Sequence, residues 1–178
     1  YGRFLAGVAR DSFVLSTKVG RVLTPDENAP STFGAYVDVL PNRQHFDYSR
    51  AGVRRSIMDS LGRLGVTRID VAYVHDCSFM THGDRAPAVL RQVIAQSVPE
   101  LQRIRSEGLI RHIGVAVSDW RVCVDILREA ELDCLLLAGR YTLLDQSALT
   151  ELLPLCVERG VRIALGGVFV MLFAMQLK

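Results

Sequence analysis

Two apolar runs, each closing on an ionisable residue, stand out in the alternation of apolar and polar positions. Phe13-Val14-Leu15-Ser16-Thr17 runs into Lys18, and Ile69-Asp70-Val71-Ala72-Tyr73-Val74 runs into His75. Both are short and rich in β-branched or aromatic residues, so they read as strands. His112–Val117, Cys134–Leu137 and Val161–Leu165 read the same way. Helical periodicity fills the intervals. In Ser49–Leu64, Val53, Ile57, Leu61 and Leu64 share one face, charges such as Arg54, Arg55 and Asp59 take much of the other, and Gly65 is placed as a C-cap. Val89–Arg105 is a second predicted helix, ended by Gly108. Trp120–Glu129 is a third, with Ser118 or Asp119 as N-cap, and Ser147–Arg159 is a fourth, ended by Gly160. Gly20 to Pro41 and Cys77–Pro87 read as loops.

Strands alternating with helices predict an α/β fold with a parallel sheet and right-handed crossovers. Two architectures satisfy this: an open doubly wound sheet, or part of a (β/α)8 barrel, which usually takes about 250 residues. No GxGxxG follows a strand and no Walker sequence occurs, so the phosphate fingerprints of open sheets are missing. Gly166-Gly167 after the last strand reads as a turn or as a close approach to a ligand. In both architectures ligands bind beyond the carboxyl ends of the strands. Singly, Lys18 is a solvated strand end and His75 a hydrogen-bonded structural histidine. As a pair from separate strands they are candidates for one catalytic pocket.

Composition narrows the function classes. The chain has 178 residues, 49% of them hydrophobic, which supports a real core and argues against disorder. Net charge is +2, with both signs scattered and no basic block, so nucleic acid is not an expected partner. No apolar stretch reaches the roughly 20 residues of a membrane span, so no membrane partner is expected either. The four cysteines, Cys77, Cys123, Cys134 and Cys156, form no CxxC, and neither they nor the four histidines show metal-ligand spacing. No metal site is expected. Cys123, Cys134 and Cys156 lie in apolar segments and read as core thiols, which fits a reducing, cytoplasmic setting. The chain opens on Tyr1 with no charged and apolar leader, and this reads as a cut start. From Ile163 to Met175 every residue is apolar or glycine, which reads as a buried strand followed by a truncated or altered tail.

Several ordered motifs are more specific. Ser16-Thr17-Lys18-Val19-Gly20-Arg21 resembles the lysine strand of aldo-keto reductases. Ser60-Leu61-Gly62-Arg63-Leu64-Gly65-Val66-Thr67-Arg68-Ile69-Asp70 resembles their helix-to-strand segment, and Val74-His75-Asp76 their histidine strand end. Gly108-Leu109-Ile110-Arg111-His112-Ile113-Gly114-Val115 resembles their G-x-I-R-x-I-G-V stretch. Leu136–Gln146, LLAGRYTLLDQ, is similar to the branch that includes aldose 1-dehydrogenases, L-fucose and L-galactose dehydrogenases and pyridoxal 4-dehydrogenase. The resemblance runs over residues 3–169. It implies a (β/α)8 TIM barrel that binds NADP or NAD without a Rossmann fold and uses an Asp, Tyr, Lys and His set. In that set tyrosine is the acid-base, lysine lowers its pKa and histidine orients the carbonyl. A phenol starts near pKa 10, and an adjacent ammonium favours its phenolate. Lys18 and His75 carry over directly. Asp70 matches an acidic residue within the histidine strand and is either structural or a support for Lys18.

The departures bear on activity. Tyr1-Gly2 mimics the family's Tyr-Gly pair, but Tyr1 lies closer to Lys18 than the family's tyrosine does to its lysine. Arg3-Phe4-Leu5-Ala6-Gly7 looks like the helix after that site, so Tyr1 reads as a helix residue. No matching aspartate is found. Ser118-Asp119 falls where the family often has Ser-Asn against the nicotinamide carboxamide. An ionised aspartate accepts but cannot donate, and a helix N-cap explains the pair equally well. A glutamine of that contact would align near Ala138. Tyr141 is either pocket lining or barrel wall. After Phe169 the branch continues Asn-Ser-Gly, but here Val170-Met171-Leu172-Phe173 follows, and no adenosine-phosphate segment is recognised.

The expectation is therefore a single domain over residues 1–178, an incomplete (β/α)8 barrel with about five of eight strands. A complete relative would move hydride between NADP or NAD and a small-molecule aldehyde or sugar lactol. This chain, with two catalytic positions and part of the cofactor grip, is expected to be an inactive fragment. The alternative is a non-enzymatic binding or regulatory scaffold built from the same barrel. Substrate identity, NAD against NADP and oligomeric state stay open.

Overall fold

A computed structural model describes residues 1–33 and 36–168. The apolar tail from residue 169 onward lies outside the described residues. In chain order the elements begin with α1 (Gly2–Leu5), β1 (Ser16–Val19), β2 (Arg21–Pro25), β3 (Thr32–Phe33), β4 (Tyr36–Val37), β5 (Asn42–Phe46) and α2 (Arg50–Leu64). Then come β6 (Ile69–His75), α3 (Phe79–His82), α4 (Ala86–Gln92), α5 (Val98–Ser106) and β7 (Ile110–Val117). The last are α6 (Arg121–Glu129), β8 (Cys134–Ala138), α7 (Leu152–Arg159) and β9 (Arg162–Gly166).

β1, β6, β7, β8 and β9 form one parallel sheet in sequential order. A doubly wound sheet would reverse its order at a switch point, and this sheet does not. It is the sequential β/α arrangement of a TIM barrel, open among the described residues, with β1 and β9 as its edges. Residues on one face alternate along each strand. Val19, Ala72, Val74, Ile113, Val115, Val117, Leu135 and Leu137 share the buried face and pack with helix residues such as Ile57, Leu101, Ile126 and Leu152. The opposite face carries Lys18, Tyr73, Gly114, Cys134 and Arg162 in one row, and His75, Ala116, Leu136 and Ala164 in the next. Within it Lys18, Ala138, Arg162 and Ala164 are exposed.

The helix signals at α2 act as read, whereas the N-cap of α6 is Trp120 and not Ser118 or Asp119. The Ser49 hydroxyl accepts from the Gly52 N–H at 3.1 Å, and Gly65 closes α2 with φ 66°. Four expectations differ, the first being that Cys77–Pro87 is not a loop but carries the short helix α3, a 3₁₀ turn over Gly83–Arg85 and the start of α4. The segment Gly20–Pro41 is not a plain loop: β2 pairs antiparallel with β5, and β3 with β4. The helix expected over Val89–Arg105 is α4 and α5 joined by a π-helical turn, Val93–Ser97. Pro99 supplies the reason, because it cannot donate to the Ala95 carbonyl and its ring crowds that group. Likewise Ser147–Arg159 splits into a 3₁₀ turn, Ser147–Leu149, and α7. Pro154 in the first turn of α7 stops an α-helix from running through Thr150.

Candidate active site

Lys18 and His75 reach the same end of the sheet on adjacent strands. Lys18 is in register with Tyr73, so His75 stands one same-face row further toward the carboxyl end. Lys18 is exposed and His75 half-buried. Neither the Lys18 ammonium nor the His75 ring has a hydrogen-bond or salt-bridge partner among the described residues. Burial depresses the His75 pKa to about 4. The positive charges of Arg21 and Lys18 push it the same way, and Asp76 opposes them. His75 is thus a neutral imidazole at neutral pH, with a ring N–H to offer an oxygen ligand.

Asp70 does not support Lys18. It sits at the opposite end of β6, where its carboxylate accepts from Arg10 Nη2 at 2.6 Å and from the Leu15 N–H at 2.8 Å. Arg68 and Arg111 lie 3.6 Å away. Burial would raise its pKa, but the Leu15 N–H and the Arg10 guanidinium more than offset this and hold it below the usual value. Its role is structural.

None of the tyrosines is presented to Lys18 as an acid-base. Tyr1 is fully exposed, 100% accessible, at the start of α1. Tyr36 is exposed on the β3–β4 hairpin. Tyr73 is the tyrosine in register with Lys18, but its ring lies against Gly114, where a Cβ would come within 2.7 Å of it, toward Cys134. Burial raises its pKa, the reverse of an activated phenol. Tyr48 is buried and its hydroxyl is occupied by main-chain carbonyls, at 2.7 Å from His75 O. Tyr141 is half-buried and packs on the core after β8.

Ser118 and Asp119 follow β7 at the same end of the sheet. Asp119 accepts from the Arg121 N–H at 3.1 Å and from the Arg121 guanidinium at 3.3 Å, so one carboxylate oxygen already serves the start of α6. The Ser118 hydroxyl has only a 3.7 Å contact with Met80 Sδ. Together with Met80, Trp120 and Arg140 they border a cavity of about 260 Å³. That is below the roughly 300–1,000 Å³ of ordinary small-ligand pockets. A cavity of this size does not hold a whole dinucleotide. A larger hollow of about 590 Å³ opens by Val71, Tyr73, His112 and Arg162, at the other end of the strands from His75. No group of three or more His, Cys, Asp or Glu suited to a metal occurs among the described residues. No helix of the described residues is long and apolar enough to cross a membrane.

Sequence reasoning passed over Tyr48, Arg21 and Asp76. Asp76 has a left-handed backbone, φ 48°, directly after His75. The available signal was its type, since aspartate tolerates that region better than most residues. Arg21 lies 4.9 Å over the Phe46 ring, and its charge acts on His75.

Comparison with known proteins places the chain in a family. The profile of the Aldo/keto reductase family matches residues 1–170. A D-threo-aldose 1-dehydrogenase from a Pseudomonas species is 40% identical over 172 residues, covering 94% of this chain and 50% of that protein. A pyridoxal 4-dehydrogenase from Microbacterium luteolum is 42% identical over 170 residues, covering 88% and 48%. The solved aldo/keto reductase from Klebsiella pneumoniae, in complex with NADP and acetate, superposes with a TM-score of 0.58 at 20% identity, over 91% of this chain and 44% of that one. That last likeness concerns the fold alone. The chain spans about half the length of the curated relatives it matches. A sequential β/α sheet with lysine and histidine at adjacent strand ends, matched over nearly all of the chain, leads to one conclusion: the chain belongs to the aldo/keto reductase family.

Proposed function

We propose that the chain carries the lysine and histidine half of an NAD(P)-dependent oxidoreductase site acting on the CH–OH group of a sugar lactol or on an aldehyde. The observation that carries this reading is the neutral, half-buried His75 beside the strand end of Lys18, both with unclaimed polar groups. The relatives' names, D-threo-aldose 1-dehydrogenase and pyridoxal 4-dehydrogenase, support the substrate class. Membership of the aldo/keto reductase family supports a nicotinamide cofactor.

In this reading His75 donates its ring N–H to the substrate oxygen and fixes its direction. Lys18 supplies positive charge that favours the ionised form of an acid-base phenol and of the substrate oxygen. Ser118 is the group suited to a carboxamide. A bound nicotinamide supplies the hydride acceptor. The acid-base phenol is not provided by any described tyrosine, so the chain by itself is proposed to be inactive.

The test compares three proteins with a D-threo-aldose and with pyridoxal: this chain, its Tyr1→Phe variant, and a version lengthened in frame at both ends. Activity in the lengthened protein alone is the expected result. Activity in this chain that disappears on Tyr1→Phe would reassign the acid-base to Tyr1. Inactivity of all three would favour the non-enzymatic scaffold.

A further inference from the structure

Tyr48 lies between the two strand ends that carry Lys18 and His75, and it touches both. It is 2% exposed. Its ring packs beneath Gly20, two residues past Lys18, so closely that a Cβ on Gly20 would lie 2.5 Å from Tyr48 Cε1. Gly20 also has φ +93°, which an L side chain rarely adopts. At its other end the Tyr48 hydroxyl is 2.7 Å from the His75 carbonyl oxygen and 3.2 Å from that of Asp76. His82 Nε2 is 3.0 Å from both Tyr48 Oη and the Asp76 carbonyl.

The proton positions follow from the partners. A carbonyl only accepts, so His82 Nε2 carries the hydrogen it directs at Asp76 O. Tyr48 Oη shares that hydrogen as the second acceptor of a bifurcated bond and gives its own proton to the nearer carbonyl, His75 O. The Tyr48 main chain is fastened as well. Ser97 Oγ donates to the Tyr48 carbonyl at 2.6 Å, and Ser97 is the last residue of the π turn. Phe46 lies 4.6 Å from the His82 ring and stacks on Tyr48 at 6.0 Å. The left-handed Asp76 is held at both ends, its N–H by Ala116 O at 2.8 Å and its carbonyl by His82. A strained residue of this kind persists only where its surroundings over-determine it.

We propose that Tyr48 is a positioning residue that fixes His75 relative to Lys18. Its ring sets the end of β1 through Gly20, and its hydroxyl sets the end of β6 through the His75 carbonyl. It touches neither substrate nor cofactor. The proposal rests on the functional reading above only in that Lys18 and His75 serve one reaction. Displacement of a reacting group by about 1 Å can cost about 100-fold in rate, so loss of this clamp belongs in kcat.

The experiment uses the protein lengthened in frame and measures kcat and KM for a D-threo-aldose and for NADP in Tyr48→Phe, Gly20→Ala and Ile104→Val. Ile104 is a fully buried residue near the end of α5, toward the opposite end of the sheet, and calibrates ordinary loss of packing. Tyr48→Phe keeps the ring and removes the hydroxyl. Gly20→Ala keeps the hydroxyl and displaces the ring. Each is expected to lower kcat by about tenfold or more while KM for NADP stays put, and Ile104→Val is expected to leave kcat alone. If Tyr48→Phe folds poorly, Gly20→Ala reads the same clamp through its other contact. Unchanged kcat in the folded variants, with only a lowered melting temperature, would overturn the proposal. If the unaltered protein oxidises nothing, the functional reading fails, and NMR of the His75 ring decides the positioning claim. Tyr48→Phe is then expected to move His75 titration upward from about 4 as the ring gains water. An unmoved titration and unmoved ring shifts would overturn the claim.

Discussion

A histidine at the end of an apolar strand acquires its properties from what surrounds it. Unfolded, His75 titrates near 6.5; folded, near 4. Between those values the unfolded chain holds the extra proton, so stability is fully present above 6.5 and falls as pH drops toward 4. The full loss has an upper bound of about 3 kcal/mol at 1.36 kcal/mol per unit. Urea unfolding of the wild type at about pH 7.5 and about pH 4.5 should show a loss that His75→Gln reduces. His82, also depressed by burial, leaves a residual slope of the same sign. An identical pH profile in the variant would show that His75 is as well hydrated folded as unfolded. The places of Lys18 and His75 were legible because an ionisable residue closing an apolar strand breaks the pattern. The place of Tyr48 was not. Its partners Gly20, His75, His82 and Ser97 are scattered along the sequence and meet only in the fold. Asp119 was legible as two roles at once, and its bond to the Arg121 N–H assigns at least one oxygen to the helix start.

The adjacency of β1 and β6 is fastened at both ends, at the carboxyl end by Tyr48 and at the amino end by Asp70. Asp70, 5% exposed, receives the Leu15 N–H that leads into β1 and the Arg10 guanidinium ahead of it. Asp70→Ala leaves the Leu15 N–H without its acceptor and the Arg10 charge with main-chain carbonyls alone, and is expected to cost about 2–4 kcal/mol. Urea unfolding measures it; a loss below about 0.5 kcal/mol, usual for surface changes, would mean that water replaces the carboxylate. The parallel strands were legible because they read as short, near-continuous apolar runs rich in β-branched residues, too short for helices. The hairpin strands were not, since Asn42-Arg43-Gln44-His45-Phe46 is mostly exposed and has no apolar alternation to find. The prolines that reshaped two helices were in plain view, yet their effect depends on which carbonyl each ring meets. Periodicity alone does not show that.

Across the whole molecule, one face of the sheet is buried by helices and the other carries the candidate site. The cofactor contact proposed on that face, among the described residues, is the small cavity beside Ser118, and fluorescence titration of this chain with NADPH and NADH should show no low-micromolar binding. A dissociation constant near 1 μM, about −8 kcal/mol, would show that the remaining contacts suffice. The family and the sequential barrel order were legible from ordered motifs whose spacing spans most of the chain, while the relation of Lys18 to His75 needed strand register. That relation is the central claim, and a double-mutant cycle in the lengthened protein tests it most directly. The rate of NADP reduction by a D-threo-aldose is measured for the unaltered protein, Lys18→Met, His75→Gln and the double variant. Each single change is expected to lower kcat/KM by about 10²–10⁴-fold, and the double variant to lose far less than the product of the two, as groups acting as one unit do. Losses that simply multiply, or a near-normal rate in either single variant, would contradict a shared site.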